Sequence, residues 1–137
     1  MSNIRVAAKA LIIKDDKVLI LQRKRPSPDA KIEWDIPGGG IEQGESFEQA
    51  LHRELKEEVN VNGEIFDIIR AWNCLDENKM LYGVTFAVHY ISGNILLSEE
   101  HEDYHWMPIS QIASSDVAKW IKAEVAILQK RLHEQKS

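Results

Sequence analysis

The segment from Pro37 to Val61 joins a run of three glycines to an acidic, amphipathic stretch, and it constrains the local fold more than any other part of the chain. Ser46 and Gln49 have the spacing of a capping box, which predicts a helix that begins at about residue 47. Three apolar residues then recur at four-residue intervals: Leu51, Leu55 and Val59. Because a helix places residues four apart on one face, these residues form a core-facing stripe, and we predict a helix over 47–59.

The same segment holds six glutamates, three of which are spaced i, i+3 and i+4: Glu54, Glu57 and Glu58. On a helix these three carboxylates fall within an arc of about 100°. Like charges this close repel, so the grouping gives the helix no stability of its own. Mg²⁺ prefers oxygen ligands and keeps waters and substrate phosphates in its shell. The spacing therefore predicts a magnesium site for phosphate chemistry, the alternative being an ordinary solvated helix face.

The residues before this helix, Pro37 to Gly40, cannot be helical. Glycine adopts backbone angles that are closed to other residues and lets the chain pass close to a ligand. We therefore expect a strand that ends near Ile36, a glycine loop, and a helix whose acidic face points back over that loop. Gly38 and Gly39 are candidate substrate-binding positions.

The spacing resembles the signature of the Nudix hydrolases, the family that includes the MutT-like nucleotide pyrophosphatases. That signature is a Gly, five residues, a Glu, seven residues, and then Arg-Glu-apolar-x-Glu-Glu-x-Gly-apolar. The matching positions here are Gly39, Glu45, Arg53, Glu54, Leu55, Glu57, Glu58 and Val61. The chain departs at Asn60, which stands where the family has Gly. We expect this residue to end the helix in a left-handed conformation, for which Asn is the next-best residue.

The resemblance implies an α/β/α sandwich around a central mixed β-sheet. It also implies hydrolysis of a diphosphate linkage that depends on Mg²⁺, with Mn²⁺ able to substitute. The carbonyl of Gly39 is a further metal ligand by resemblance. Arg53 is expected to pair with Glu45 and to orient the loop on the helix, a task that suits a bidentate guanidinium–carboxylate pair. The alternative for this pair is a plain surface salt bridge.

The general base is open between two positions. Glu57 is one candidate, because it belongs to the acidic arc of the helix. In MutT-like proteins an acidic residue on a loop, six residues before a Trp, reaches the metal site. Glu100 has that spacing to Trp106 and is both the second candidate base and a candidate metal ligand. Its competitors in the same run are Glu99, Glu102 and Asp103, and a solvated acidic loop is the alternative.

Three further sets of side chains bear on binding. Arg23, at the end of the second predicted strand, is the candidate contact to the nucleotide, although a basic cluster at a strand end can serve solubility alone. His101 and His105 lie four residues apart, but we expect a loop there and infer no zinc site. Aromatic stacking on a base is open to three residues: Trp34, Tyr82 and Trp106.

The remaining pattern predicts strands before and after the acidic helix and a second helix near the end of the chain. The β-rich runs are Ile4–Ile13, Lys17–Gln22, Trp34–Pro37, Glu64–Trp72 and Leu81–Ile91. The second helix is expected from Asp116 to His133, capped by Ser115. This order favours a layered α/β fold, and we expect residues 1–137 to form a single domain.

Composition limits the class of partner. The net charge of −5 disfavours a polymeric nucleic acid, but a phosphate substrate remains compatible because bound metal supplies positive charge. The single Cys74 cannot form an internal disulfide, and no apolar run approaches membrane-spanning length. We therefore expect a cytoplasmic protein without a membrane partner, as a monomer or a homodimer.

The favoured reaction is cleavage of a nucleoside triphosphate, or a modified one, to a nucleoside monophosphate and pyrophosphate. An ADP-ribose or other nucleotide-sugar pyrophosphatase is the close alternative. Hydrolases of that kind often carry an added N-terminal region, and this chain begins almost at its first strand. An isoprenoid diphosphate or a capped RNA end is a further possible substrate. A non-catalytic nucleotide-binding regulatory module is a function of another class, and it has no need of Glu54, Glu57 and Glu58.

Overall fold

Ten elements of secondary structure follow one another along residues 4–135, the part of the chain that the computed structural model describes. They are β1 (Ile4–Lys14), β2 (Lys17–Arg23), β3 (Trp34–Asp35), β4 (Gly38–Gly40), α1 (Phe47–Val59), β5 (Asn62–Asp76), β6 (Lys79–Ser92), β7 (His101–Pro108), a 3₁₀ helix (Ile109–Ser114) and α2 (Lys119–Gln135). Neither α-helix offers an apolar stretch of the length that crossing a membrane requires.

Helix α1 begins and ends where its sequence predicts. The Ser46 side chain accepts a hydrogen bond from the backbone N–H of Gln49 at 3.1 Å, and the Gln49 side chain accepts one from the backbone N–H of Ser46 at 2.9 Å. At the other end Asn60 has a φ of 60° and a ψ of 43°, the left-handed conformation expected of it. The predicted capping box and the predicted left-handed end are both confirmed.

The strands form one mixed sheet between the two helices. β1 runs parallel to β6, while β5 pairs with β6 and β7 pairs with β2 in antiparallel fashion. One face packs on α1 through a core that includes Leu19, Leu51 and Leu55, and the other packs on α2. The predicted α/β/α sandwich with a central mixed sheet is confirmed.

β1 and β2 pair only beside their turn and then diverge, and the short strands β3 and β4 fill the gap next to the acidic helix. The two strands pair at Ile13↔Val18 and Lys14↔Lys17, beside their turn. Further along, β3 pairs with β2 and β4 pairs with β1. The short segment from residue 34 to residue 40 therefore crosses from one diverging strand to the other, and it brings Asp35 and the glycines close to α1.

Three sequence-based predictions of secondary structure were wrong in detail. The glycines of the expected loop form β4, because they pair with β1 at Ala7, Ala8 and Lys9. The run from His101 onward is strand β7 and not a loop, since it finds its partner in β2, far away in the sequence.

The third error concerns the start of α2. This helix begins at Lys119, three residues later than predicted, and Ser115 does not cap it. The Ser115 hydroxyl instead donates a hydrogen bond to the carbonyl of Ile112 at 2.7 Å. Ser115 therefore closes the preceding 3₁₀ helix, an element that the sequence analysis did not foresee.

Candidate active site

The Arg53 side chain joins the loop before α1 to the helix itself. Its Nε donates to Glu45 Oε2 at 2.7 Å, and its Nη2 donates to Glu45 Oε1 at 2.8 Å. Nη2 also donates to the carbonyl oxygen of Gly40 at 2.9 Å. Two parallel bonds to one carboxylate need the planar fork of a guanidinium. The predicted pairing of Arg53 with Glu45 is therefore present in bidentate form.

The hydrogen bonds from Arg53 lower the pKa of Glu45 to about 2, with help from the backbone N–H of Glu42. The same contacts, with those to Glu54, raise the pKa of the guanidinium above its ordinary value. Both groups are therefore charged at neutral pH, and the loop stays fixed on the helix.

The glycine strand passes directly over the acidic face of α1. A Cβ atom on Gly39 would lie 2.5 Å from Oε2 of Glu54, which is closer than side-chain atoms approach one another. Gly38 has a φ of 137°, and a Cβ atom there would collide with the carbonyl oxygen of Ala8. Only glycine fits these two positions, because the backbone must lie against the Glu54 carboxylate on one side and β1 on the other.

Glu58 is the buried member of the acidic arc. It is 5% exposed, and its Oε1 accepts a hydrogen bond from the backbone N–H of Gly38 at 3.1 Å. Burial raises the pKa of Glu58 to about 7, although the nearby Lys9 and His101 side chains and the bond from Gly38 oppose the rise. A divalent cation bound at this carboxylate would favour its ionised form.

Glu58, Glu100 and His101 meet at one point of the structure. One carboxylate oxygen from each glutamate and one ring nitrogen of His101 lie within 4.8 Å of one another. Nδ1 of His101 is buried and has no hydrogen-bond partner among the described residues. Two carboxylates and an imidazole nitrogen are donors that first-row divalent ions accept, so these residues fit a divalent metal.

Asp35 and Lys9 form a buried ion pair beside this point. Lys9 Nζ lies 3.1 Å from Asp35 Oδ1, and both side chains are at most 15% exposed. The second oxygen of Asp35 faces Nε2 of His101 at 3.1 Å and the guanidinium of Arg23 at 3.5 Å. The Arg23 side chain is 53% exposed, so it lies at the mouth of this buried charge cluster.

The structure brings some of the predicted site residues together and separates others. Glu58 and Glu100 share the point described above. Glu54 and Glu57 instead contact Nη1 of Arg53, at 2.9 and 3.2 Å. The Glu57 side chain is 61% exposed, which is compatible with a general base that meets water. Whether Gly39, Glu54 and Glu57 complete a metal site with Glu58 and Glu100 remains a prediction.

Of the competitors of Glu100, two have other partners. Arg25 donates a hydrogen bond to Glu102 at 3.0 Å, and this contact lowers the pKa of that carboxyl below its ordinary value. Asp103 lies 3.6 Å from the ring of His105. Glu100 itself is exposed, and its backbone carbonyl accepts a hydrogen bond from Lys24.

Sequence reasoning missed Lys9 and Asp35, and it assigned no role to His101. A signal existed for the first two, because Lys9 interrupts the apolar run Ala7–Ile13 and Asp35 stands between Trp34 and Ile36. Charged residues in such runs are rarely buried without a partner. The partner could not be named, since Lys9, Asp35 and His101 are distant in the sequence.

A cavity of about 500 Å³ opens at Trp34 of β3. Its lining residues are Lys31, Ile32, Glu33, Trp34, Asp116, Ala118 and Trp120. Two tryptophans beside carboxylates provide apolar surface together with hydrogen-bond acceptors, and the volume falls in the range of small-molecule sites, about 300–1,000 Å³.

Comparisons with known proteins agree with this geometry. Residues 3–128 match the NUDIX domain family. The chain is 30% identical over 97 residues to the nucleoside triphosphatase NudI of Escherichia fergusonii, a match that spans 62% of this chain and 68% of that protein. It is 27% identical over 142 residues to a putative 8-oxo-dGTP diphosphatase 2 of Mycobacterium tuberculosis, over 93% of this chain and 97% of that protein.

The fold is also that of solved structures in this group. The MutT protein from Methanosarcina mazei Go1 superposes with a TM-score of 0.80 at 23% identity, over 95% of this chain and 96% of that one. The acidic helix, the glycine strand above it and the Arg53–Glu45 pair occupy the matched region. The chain belongs to the Nudix family and is a pyrophosphohydrolase that acts on diphosphate linkages of nucleotides.

Proposed function

We propose that this protein hydrolyses a nucleoside triphosphate, or a modified one, to a nucleoside monophosphate and pyrophosphate with Mg²⁺ as cofactor. The relatives named above are a nucleoside triphosphatase and a putative 8-oxo-dGTP diphosphatase, and the second aligns along nearly its whole length. The structural observation that carries the proposal is the cavity at Trp34, which has room for a base and is lined by the residue that precedes Asp35 of the charged cluster.

The base lies between Trp34 and Trp120 in this proposal, because aromatic rings stack on any base. The carboxylates of Glu33 and Asp116, which line the same cavity, accept hydrogen bonds from N–H groups of the base. Trp34 directly precedes Asp35 in β3. The same strand therefore contributes one residue to the base site and one to the charged cluster. Arg23, half-exposed at the mouth of that cluster, contacts a phosphate.

The residues that would hold the metal are Glu58 and Glu100, together with Glu54, Glu57 and the carbonyl of Gly39. A divalent ion held there supplies positive charge against the charge that develops on the phosphate oxygens. Arg53 bonds both Glu45 and the carbonyl of Gly40, and so fixes the glycine strand relative to the helix. This keeps the distances between the metal-binding groups of the strand and the helix constant.

In the reaction, a water oxygen attacks one phosphorus while the bond from that phosphorus to the bridging oxygen breaks. A carboxylate takes the water proton, and the electron pair of the broken bond leaves with the bridging oxygen. Glu57 and Glu100 are exposed carboxylates suited to accept the proton, and Glu99, also exposed, remains a competitor of Glu100.

The proposal is tested by product analysis on a panel of nucleotides with Mg²⁺. The panel holds canonical and oxidised nucleoside triphosphates, ADP-ribose, NADH, dinucleoside polyphosphates, UDP-sugars and a capped RNA. Hydrolysis in ¹⁸O-water followed by mass analysis shows which product receives the water oxygen. Glu57→Gln and Glu100→Gln are compared with Glu48→Gln, an exposed position on the same helix.

We expect one triphosphate to be preferred, and the variant that removes the base to lose roughly 10²–10⁴-fold in kcat. A preference for ADP-ribose would replace the triphosphate assignment with the nucleotide-sugar alternative. Binding of a nucleotide without turnover of any panel member would favour the regulatory module. Full activity of Glu57→Gln would exclude Glu57 as the base.

A further inference from the structure

His101 is held in place from one side by a carboxylate. It is the first residue of β7, and the pairing of β7 with β2 sets it opposite Arg23. Its side chain is 1% exposed, and its Nε2 lies 3.1 Å from Oδ2 of Asp35. The ring therefore has a fixed orientation inside the protein.

The contact with Asp35 also fixes the tautomer of the ring. Asp35 is ionised, because Lys9 and Arg23 both face its carboxylate. The backbone N–H of Ile36 also donates a hydrogen bond to Oδ1 of Asp35, at 2.8 Å. An ionised carboxylate only accepts hydrogen bonds, so Nε2 carries the proton. In the neutral ring, Nδ1 is then the nitrogen with the free lone pair.

This second nitrogen has no partner among residues 4–135, although it is buried. Buried polar atoms nearly always have one. A ring nitrogen of His101 lies within 4.8 Å of carboxylate oxygens from Glu58 and Glu100. Ligands of one divalent ion lie up to about 4.4 Å apart, so these three side chains need to move little to share an ion.

We propose that His101 binds the divalent metal through Nδ1, together with Glu58 and Glu100, and that the site binds Mn²⁺ or Co²⁺ more tightly than Mg²⁺. The inference rests on the proposed function, because it concerns the metal of that same site. Asp35 holds the far nitrogen of the ring, an arrangement that fixes tautomer and direction in metal-binding histidines and raises their basicity.

The preference follows from the type of ligand. Mg²⁺ takes oxygen ligands and is reluctant to exchange its waters, whereas imidazole nitrogen suits first-row transition ions. A site of carboxylates alone discriminates less between these ions. One nitrogen ligand therefore raises the affinity for Mn²⁺ and Co²⁺ more than the affinity for Mg²⁺.

The test is metal binding by metal-free protein without substrate. Free Mn²⁺ is followed by electron paramagnetic resonance, and Mg²⁺ is added as the competitor. His101→Gln keeps an amide that can donate to Asp35 and lacks the second nitrogen. His105→Gln on the same strand is the matched control, since His105 is part-exposed and contacts the Gln22 side chain at 3.0 Å. We expect His101→Gln to weaken Mn²⁺ binding roughly tenfold or more and Mg²⁺ binding less than about threefold.

A second measurement needs no variant. The spin echo of Mn²⁺ bound to the wild-type protein will show coupling to a directly bonded ¹⁴N, and the coupling will change when histidine is labelled with ¹⁵N. Absence of a bonded nitrogen would overturn the inference, as would a His101→Gln protein with the wild-type ratio of Mn²⁺ to Mg²⁺ affinity. These readouts are independent of turnover. Nitrogen-bound Mn²⁺ in a protein inactive on every nucleotide would sustain this inference and refute the proposed function.

Discussion

The guanidinium of Arg53 and the carboxylate of Glu45 face each other through two parallel hydrogen bonds of 2.7 and 2.8 Å. Glu45 belongs to the loop before α1, and Arg53 lies in the middle of that helix. A third bond reaches from Arg53 to the carbonyl of Gly40 in the glycine strand. One side chain thus sets the position of the strand that covers the acidic face.

Replacing Arg53 with lysine should therefore lower activity while the fold survives. Lysine keeps the charge but cannot form the two parallel bonds. Loss of a charge-assisted hydrogen bond worth about 1.5–3 kcal/mol corresponds to a fall of roughly 10–100-fold in kcat/KM. The control is Arg131→Lys, because Arg131 bonds Asp67 at 3.1 Å from helix α2, outside this network. Arg53→Lys activity within about threefold of wild type would contradict this role.

Gly39→Ala should weaken the binding of Mg²⁺, whereas the same substitution at the neighbouring Gly40 should not. The added methyl would lie 2.5 Å from Oε2 of Glu54, so the carboxylate must move. We expect the Mg²⁺ concentration for half-maximal activity to rise roughly tenfold, the usual effect of disturbing the support of a ligand. In Gly40→Ala the nearest atom is the Val6 carbonyl oxygen at 3.9 Å, so that variant should behave as wild type. Equal behaviour of the two variants would rule out the Glu54 contact as the cause.

Glu58 should make the metal-free protein less stable as the pH rises. Its pKa is raised from an ordinary 4.5 to about 7, so the folded state binds the extra proton between these values. The free energy of unfolding therefore falls as the pH rises from about 4.5 to about 7, by on the order of 3 kcal/mol from this group.

Urea unfolding of wild type and Glu58→Gln in the presence of a chelator measures this effect. Glutamine carries no charge, so the variant should gain stability relative to wild type as the pH rises through this window. Glu48→Gln, at an exposed position, provides the comparison for charge removal from the same helix. A wild-type–variant difference that stays constant from pH 5 to pH 8 would show that burial of Glu58 does not shift its titration.

Ser46→Ala should destabilise α1 by about 1 kcal/mol, because one of the two reciprocal capping bonds is lost. Urea unfolding at neutral pH gives the change. Ser46→Asp keeps an oxygen acceptor at the start of the helix and should recover most of the loss. If alanine and aspartate cost the same, the capping bond does not contribute to stability.

The amino-acid sequence alone determined α1 and the contacts made along it. The capping box joins residues three apart, the apolar stripe repeats every four residues, and Asn60 ends the helix. These interactions are local, so they can be identified without knowledge of the rest of the fold. The pairing of Arg53 with Glu45 followed from the resemblance to the Nudix signature, and the substrate remains a proposal.

Only the tertiary structure decided how the charged centre is assembled. Lys9 lies in β1, Asp35 in β3 and His101 in β7. These strands meet because β3 and β7 both pair with β2, while β4, which follows β3, pairs with β1 beside Lys9. One partner of Asp35 in this centre, His101, is 66 residues away along the chain. Local sequence carries no signal for a pairing of that length. It is set by which strands share hydrogen bonds, and the burial of these charges follows from that arrangement.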